Sequence, residues 1–332
     1  MIGGLFILMV MVGVCIAGYC LGGMVGLVIA IVICLLLLGG SKNDDSELMK
    51  LIEAMDNGDE NARQKLAEKN LSEKKFCELR EKIYLPKAQA GDREAQRWMG
   101  LICLYGKNDA KQAKMWYEKA AAQGDVEAMT SLALGYSEVR NDPQHDMGIK
   151  GFGYDPQKEM YWYEKAAKLG DGSSQCSLAM EYKLRKDMDQ AYYWYTQATY
   201  SRDCAARMDA YYGLADIHGY MLNEKYYDTN KEEMYLIRVL RTMQENMNHP
   251  NSFHETTYTQ AAFSLGSLYS REYMKKQNRT YLLRAAYCYT LAYETGNQYG
   301  LTNLRELPYN PTETEWTKWR NDAQRFVYYP PC

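Results

Sequence analysis

The chain has 332 residues, 47% of them hydrophobic, and a formal net charge of −3. This length can bury a sizeable core, and the small net charge argues against a nucleic-acid-binding surface, which needs a clustered basic face. Nine cysteines are scattered without a CxxC pattern, which favours free thiols in a reducing compartment over a secreted disulfide scaffold. Four histidines, none paired at ligand spacing on a helix, predict no metal or other cofactor.

The chain begins with an apolar segment, residues 1–40, that contains no charged side chain. It is long enough to cross a membrane and too long for an ordinary signal-peptide core, so we expect a retained anchor that contacts lipid through residues 2–38. A single helix over these residues would measure roughly 55 Å, whereas the hydrocarbon layer is about 30 Å thick. One continuous helix in a homo-oligomer and a hairpin that breaks near Gly22 and Gly23 are both compatible with this length.

Small residues recur every four positions in the anchor, a spacing on which membrane helices can pack: Gly18, Gly22, Gly26 and Ala30. Glycine is also common in membrane helices that do not associate, so a homo-oligomer is one of two interpretations. Lys42 and Lys50 follow the segment, and the positive-inside rule then places the rest of the chain in the cytoplasm. Residues 41–58 are expected to form a linker helix.

A repeat organises residues 59–307. The sequence MWYEKAAAQGD at 115–125 returns as YWYEKAAKLGD at 161–171, and Gly-Asp pairs beginning at residues 58, 91, 124 and 170 are separated by 33, 33 and 46 residues. After each of the first three pairs comes Ala-x3-(Leu/Met)-(Gly/Ala), as at Ala95, Met99 and Gly100. These spacings lie on one face of a helix, and the small residues let a neighbouring helix approach closely. We term this first helix of each repeat helix A.

A second helix, helix B, is predicted in each repeat. An Asp stands seven residues before a large aromatic residue in four repeats: Asp109 before Trp116, Asp155 before Trp162, Asp187 before Trp194 and Asp228 before Tyr235. An Asp at a helix start accepts a hydrogen bond from an unpaired backbone N–H group. The Gly of each Gly-Asp pair is expected to close helix B in the left-handed conformation, and the Asp to cap the next helix A.

Two segments depart from the repeat. Residues 140–153 form an insertion with proline and closely spaced glycines, which predicts a loop between helices A and B. The insertion can be neutral sequence drift in a loop that tolerates extra residues, or it can be an element that projects from one edge and contacts a partner. Residues 308–332 are expected to form a C-terminal capping helix and tail, because Thr312 and Glu315 have the spacing of a capping box ahead of Trp316 and Trp319.

These repeats resemble the Sel-1-like repeats, which are relatives of the tetratricopeptide repeats. The pattern Ala-x3-Leu-Gly-x2-Tyr, a turn, Asp, then Trp-Tyr-x-Lys-Ala-Ala-x2-Gly is matched best over residues 92–200 and again over 259–296. The resemblance implies an all-α fold in which helix pairs build a right-handed superhelix, or solenoid. To this fold the apolar segment would add an N-terminal transmembrane helix or helical hairpin.

The resemblance also implies a concave face lined by helix A, where a protein or peptide would bind. The side chains of helix A that are not needed for packing form the predicted partner-binding set: Arg97, Tyr105, Thr130, Glu138, Lys183, Tyr212, Asp216, Tyr220 and Arg271. Their mixture of aromatic and charged groups suits a peptide or a partner helix. For any single member, an ordinary solvated surface is the alternative.

No catalytic motif such as the Gly-x-Ser-x-Gly elbow occurs in the sequence. We therefore predict a non-enzymatic scaffold, anchored in a membrane, whose repeats in the cytoplasm bind a protein partner. The alternative is a membrane-acting effector, such as a toxin or a defence component, which oligomerises through its glycine-rich segment and uses the solenoid as a sensor. The two functions differ in whether that segment self-associates.

Overall fold

The computed structural model describes residues 45–137, 151–219, 224–246, 255–325 and 328, and all regular structure in these ranges is helical. Helix α1 spans residues 45–56. The helices that follow are α2 (Glu60–Glu68), α3 (Glu73–Gln89), α4 (Arg93–Leu101), α5 (Ala110–Ala122), α6 (Val126–Tyr136), α7 (Pro156–Lys168), α8 (Gly172–Leu184), α9 (Met188–Ala198), α10 (Cys204–Gly219), α11 (Thr229–Asn246), α12 (Glu255–Lys276), α13 (Arg279–Glu294), α14 (Gln298–Glu306) and α15 (Glu313–Gln324). A short π-helical segment, Ile102–Gly106, follows α4 directly.

The helices group into two compact units. Of the described residues, the first unit comprises 45–125 and the second comprises the remainder. In the first unit α3 packs on α4 and α4 on α5. In the second, successive helices pack as pairs, α6 with α7, α8 with α9, α10 with α11 and α12 with α13, and helix A of one pair also contacts helix A of the next at α8, α10 and α12. Helix pairs in series are the arrangement of an all-α solenoid.

The helix ends confirm the predicted caps. The capping side chains of three B helices accept a hydrogen bond from the backbone N–H group three residues later, at 2.9 to 3.1 Å: Asp109, Asp155 and Asp187. Asp228 accepts from the N–H groups of Asn230 and Lys231. The closing glycines have φ angles of +97°, +83° and +91° at Gly91, Gly124 and Gly170, a region that side chains with a Cβ atom rarely adopt.

The small residues of helix A lie under tyrosine rings of helix B. A Cβ atom added to Gly100 would lie 2.5 Å from ring carbons of Tyr117, and one added to Gly266 would lie 2.7 Å from the ring of Tyr289. Both distances are well inside van der Waals contact, so α4 and α5, and likewise α12 and α13, approach this closely only because the glycines lack a Cβ atom. The predicted close approach of helices is confirmed in these two repeats.

The C-terminal helix α15 covers the last helix pair. Its start has the predicted capping box, in which Thr312 and Glu315 bond to each other's backbone N–H groups. Trp319 is buried in the core of the second unit, and its ring meets Tyr287 of α13 edge-on, with the centroids 5.7 Å apart. Tyr328 is buried in the same core. Since α14 also packs on α13, the last two helices together close the core around that helix.

Several predicted features lie outside the described residues. They are the anchor with its stripe of Gly18, Gly22, Gly26 and Ala30, most of the insertion, and two predicted partner-binding residues, Glu138 and Tyr220. Among the helices of the described ranges, none has both the length and the apolar character needed to cross a bilayer. At the end of the insertion, the N–H group of Phe152 donates to the carbonyl oxygen of Gly135 at 2.7 Å. This bond ties the returning chain to α6.

Candidate functional site

Four of the predicted partner-binding residues lie close together in the second unit. Tyr212 and Asp216 of α10 and Arg271 of α12 line one cavity of about 180 Å³. Lys183 of α8 pairs with the carboxylate of Asp216 from outside this cavity. We call the cavity the Arg271 groove, and its walls are formed by Tyr212, Ala215, Asp216, Gly219, Glu232, Leu236, Phe263, Ser264, Ser267 and Arg271.

Helical spacing explains why these side chains share a surface. On α10 the lining residues stand three or four positions apart from Tyr212 to Gly219, which places them on one helix face. The same spacing runs from Ser264 to Arg271 on α12. Because α10 and α12 pack on each other as neighbouring A helices, the two faces adjoin. The groove is therefore a direct product of the repeat.

Arg271 and Glu232, which both line the groove, form an ion pair. The Nη2 atom of Arg271 donates to both carboxylate oxygens of Glu232, at 2.9 Å each. Glu232 is only 6% exposed, and burial raises the pKa of its carboxyl group, an effect that the hydrogen bond from Arg271 opposes. Gly219 leaves room for the carboxyl group, because a Cβ atom there would lie 2.8 Å from it.

Glu232 was not among the residues that sequence reasoning selected. It lies on a B helix that lacks the Trp-Tyr pair. The fourth residue after the capping Asp is alanine in two other B helices, as Ala113 and Ala191, and Glu232 stands at the same place after Asp228. Because Asp155 is likewise followed by a glutamate, Glu159, at this position, the sequence did not single out Glu232.

The other described members of the predicted set lie away from the groove. The Nε atom of Arg97 lies 3.4 Å from a carboxylate oxygen of Asp125. The hydroxyl of Thr130 donates to the carbonyl oxygen of Val126 at 3.1 Å and lies 3.0 Å from the hydroxyl of Ser174. Arg97 and Thr130 thus take part in contacts within their own units. Tyr105 is half exposed and lines a separate cavity of about 900 Å³ in the first unit.

A buried histidine precedes the groove residue Gly219. His218 is surrounded by three tyrosine rings, with centroid distances of 5.8 Å to Tyr192, 6.1 Å to Tyr226 and 5.7 Å to Tyr235. Its Nδ1 atom donates to the carbonyl oxygen of Tyr226, whereas its Nε2 atom is buried without a hydrogen-bond partner among the described residues. His218 is therefore a core residue of its repeat.

Stability is expected to decrease as the pH falls below about 6.5, the ordinary pKa of histidine, in part because of His218. Burial lowers the pKa of His218, and the hydrogen bond to Tyr226 and the nearby charges of Lys231 and Asp228 only modify this effect. Below pH 6.5 the unfolded chain therefore binds a proton that the folded chain resists, which favours unfolding. Urea unfolding at pH 7.5 and 5.5 should show a smaller loss of stability in His218→Phe than in the wild type. An equal loss in both would contradict this role.

The described residues contain no group of three or more His, Cys, Asp or Glu side chains placed to hold a metal ion. Five cysteines lie in the described ranges and none of them forms a disulfide: Cys77, Cys103, Cys176, Cys204 and Cys288. Burial raises the pKa of the Cys103 thiol to about 11. A thiol with so high a pKa stays protonated near neutral pH and is a poor nucleophile.

Comparison with known proteins agrees with this architecture. The family model described as Sel1 repeat matches residues 93–125, 145–171 and 173–202, within the part of the chain where the repeat pattern is clearest. No curated protein matches the chain. The Arg271 groove lies beyond the three matched stretches, in helices that continue the same pairing.

Two solved structures are similar to this chain. One is a protective antigen present in uropathogenic Escherichia coli strains that displays an SLR fold; it is 18% identical, has a TM-score of 0.55, and the match covers 86% of this chain and 56% of that one. This chain therefore spans just over half the length of that antigen. A Sel1 repeat protein from Oxalobacter formigenes is also 18% identical, with a TM-score of 0.43 and coverage of 85% and 87%. The three matched stretches are therefore Sel1 repeats, and the chain shares the fold of the antigen.

Proposed function

We propose that this protein is a non-enzymatic scaffold that binds a segment of a partner protein in the Arg271 groove. In the same proposal, the apolar residues 1–40 anchor the protein in a membrane and the repeats lie in the cytoplasm. The observation that carries the binding proposal is the groove itself, where helices of neighbouring repeats present aromatic, hydroxyl and charged side chains around one opening.

The composition of the groove suits a peptide better than a small metabolite. Its volume of about 180 Å³ is below the ~300–1,000 Å³ typical of small-molecule pockets. Tyr212 and Phe263 supply aromatic surface, while Asp216 and Arg271 supply groups of opposite charge. Aromatic side chains and arginine are the groups enriched where proteins bind one another. A shallow site of this kind takes one or two side chains of a longer segment.

The repeat architecture also supports a scaffold. Helix pairs in series bury their cores between neighbours and leave a long face for partners, and Sel1 repeats with this fold suggest protein–protein interaction. Support for the membrane anchor comes from the sequence, in which residues 1–40 contain no charged side chain and Lys42 and Lys50 follow directly.

Photo-crosslinking in the native cell tests the groove. With p-benzoylphenylalanine in place of Tyr212, we expect a covalent adduct with a different protein. The substitution Ser264→Trp places an indole in the groove and should reduce the adduct to background, because a filled groove excludes the partner segment. The adduct is measured by immunoblot and identified by mass spectrometry.

Ser270→Trp is the matched control. Ser270 lies on the same helix as Ser264 and is likewise half-buried, but it does not line the groove. Its variant should therefore retain the adduct. The proposal fails if Ser264→Trp leaves the adduct intact, or if the crosslinker at Tyr212 captures only other copies of this chain. The second outcome would favour the oligomeric effector instead.

A further inference from the structure

Resting on the proposed function, we propose that the Arg271 groove receives a cationic side chain, arginine or lysine, of the partner segment. The inference concerns the chemistry of the ligand, which the repeat architecture leaves open. It follows from the balance of charge in the groove, from the unused acceptor capacity of its carboxylates and from the shape of its walls.

The lining of the groove carries an excess of negative charge. Asp216 and Glu232 are acidic and Arg271 is the single basic residue of the lining. Lys183 neutralises Asp216 only in part, because it contacts the carboxylate from outside the groove through an ion pair that is partly exposed to water. Exposed pairs of this kind contribute little to stability, so an incoming cation can share or replace Lys183.

Asp216 has acceptor capacity to spare. Its Oδ2 atom faces Lys183, whereas no described residue donates a hydrogen bond to its Oδ1 atom. A carboxylate can accept about four hydrogen bonds. Asp216 therefore presents an open acceptor to the groove, and a guanidinium or ammonium group supplies donors of matching charge.

The surroundings of Glu232 also favour a second cation. This carboxylate is buried and has one guanidinium as its charged partner, while the negative charge of Asp216 lies close enough to disfavour its ionised form further. A positive charge placed between Asp216 and Glu232 would interact favourably with both groups, at the low effective dielectric of a half-buried site. An anion in the same place would face two carboxylates, and the guanidinium of Arg271 is already engaged by Glu232.

The walls fit the stem of a long basic side chain. Leu236 and Phe263 provide apolar surface, and Tyr212 adds a second aromatic ring. Lysine and arginine side chains bury their methylene groups on such surfaces while the charged end stays polar, and aromatic faces attract cations. At a volume of about 180 Å³, the groove is proposed to take one such side chain.

Peptide binding to the full chain in mild detergent tests the inference. The probes are fluorescein-labelled nine-residue pools with Arg, Lys, citrulline or Glu fixed at the centre and uncharged residues elsewhere. We expect the Arg and Lys pools to bind at least about tenfold more tightly than the citrulline pool, which matches arginine in shape but is neutral, as expected for a hydrogen bond between charged groups. Fluorescence anisotropy gives the dissociation constants, and Ser264→Trp should abolish binding.

Asp216→Asn should weaken binding of the Arg pool about tenfold and leave the citrulline pool unchanged. Glu164→Gln is the matched control, because Glu164 is an acid of similar exposure in one ion pair, with Lys168, outside the groove; this variant should bind the Arg pool as the wild type does. Equal affinity for the Arg and citrulline pools, tighter binding of the Glu pool, or no binding of any pool would overturn the inference. If one of these results is found but the crosslinked adduct at Tyr212 persists, the scaffold proposal stands and only the inference about the cation fails. If the adduct is lost as well, both proposals fail.

Discussion

Replacing Gly100 by valine is expected to lower the free energy of unfolding by about 3 kcal/mol, the upper part of the range for an overpacked core. The Cβ atom would lie 2.5 Å from two ring carbons of Tyr117, whose side chain is fully buried. The variant should therefore separate α4 from α5 or displace the ring. Urea unfolding followed by circular dichroism measures the loss.

The sign of the stability change in Gly100→Ala shows whether the contact with Tyr117 or the backbone preference of alanine dominates. An alanine inside a helix is usually more stable than glycine by about 1 kcal/mol, yet at this position we expect a loss, because even one methyl group meets the Tyr117 ring. Tyr117→Leu should remove the obstruction, so the double variant should show a favourable coupling in a double-mutant cycle. An increase in stability for Gly100→Ala alone would show that the two helices tolerate a Cβ atom there.

Local chemistry explains why so much of the fold is readable from the sequence. An Asp cap and a closing glycine act within a few residues of the helix ends. The two ends of α5 can therefore be predicted from Asp109 and Gly124 without any knowledge of distant contacts. The repeat makes the fold still easier to predict, because the same packing of helix A on helix B recurs along the chain. Even α10 and α11, where the Trp-Tyr pattern is absent, keep the predicted cap at Asp228.

The candidate site was only partly readable, because it depends on pairings between helices far apart in the sequence. The sequence placed Lys183, Asp216 and Arg271 on helix A, but gave no means of pairing Lys183 with Asp216 rather than leaving both in solvent. It could not bring Glu232 of helix B beneath Arg271 either. The same limit applies to Arg97, since the sequence did not indicate that it lies 3.4 Å from Asp125; its role in partner binding stays a prediction.

The last repeat shows what a covering helix contributes. The residue before the Trp-Tyr pair of helix B is half exposed in α7 and α9, as Tyr161 and Tyr193. The equivalent residue in α13 is Tyr287, which precedes Cys288 and is fully buried. The difference arises because α15 places Trp319 edge-on against Tyr287. The position that is half exposed in α7 and α9 is therefore part of the core in α13.

Trp319→Ala is consequently expected to reduce the free energy of unfolding by about 3 to 5 kcal/mol, the usual loss for a buried tryptophan. The change leaves a cavity beside Tyr287 and releases α15 from α13, so hydrogen exchange should rise first in 313–324. Trp316→Ala is the control on the same helix: Trp316 is only half-buried against the same core, and about 1 kcal/mol is expected because less apolar surface is lost. Equal effects of the two substitutions would show that α15 contributes only general apolar cover, whereas a large excess for Trp319 would establish its contact with Tyr287 as the one that closes the core.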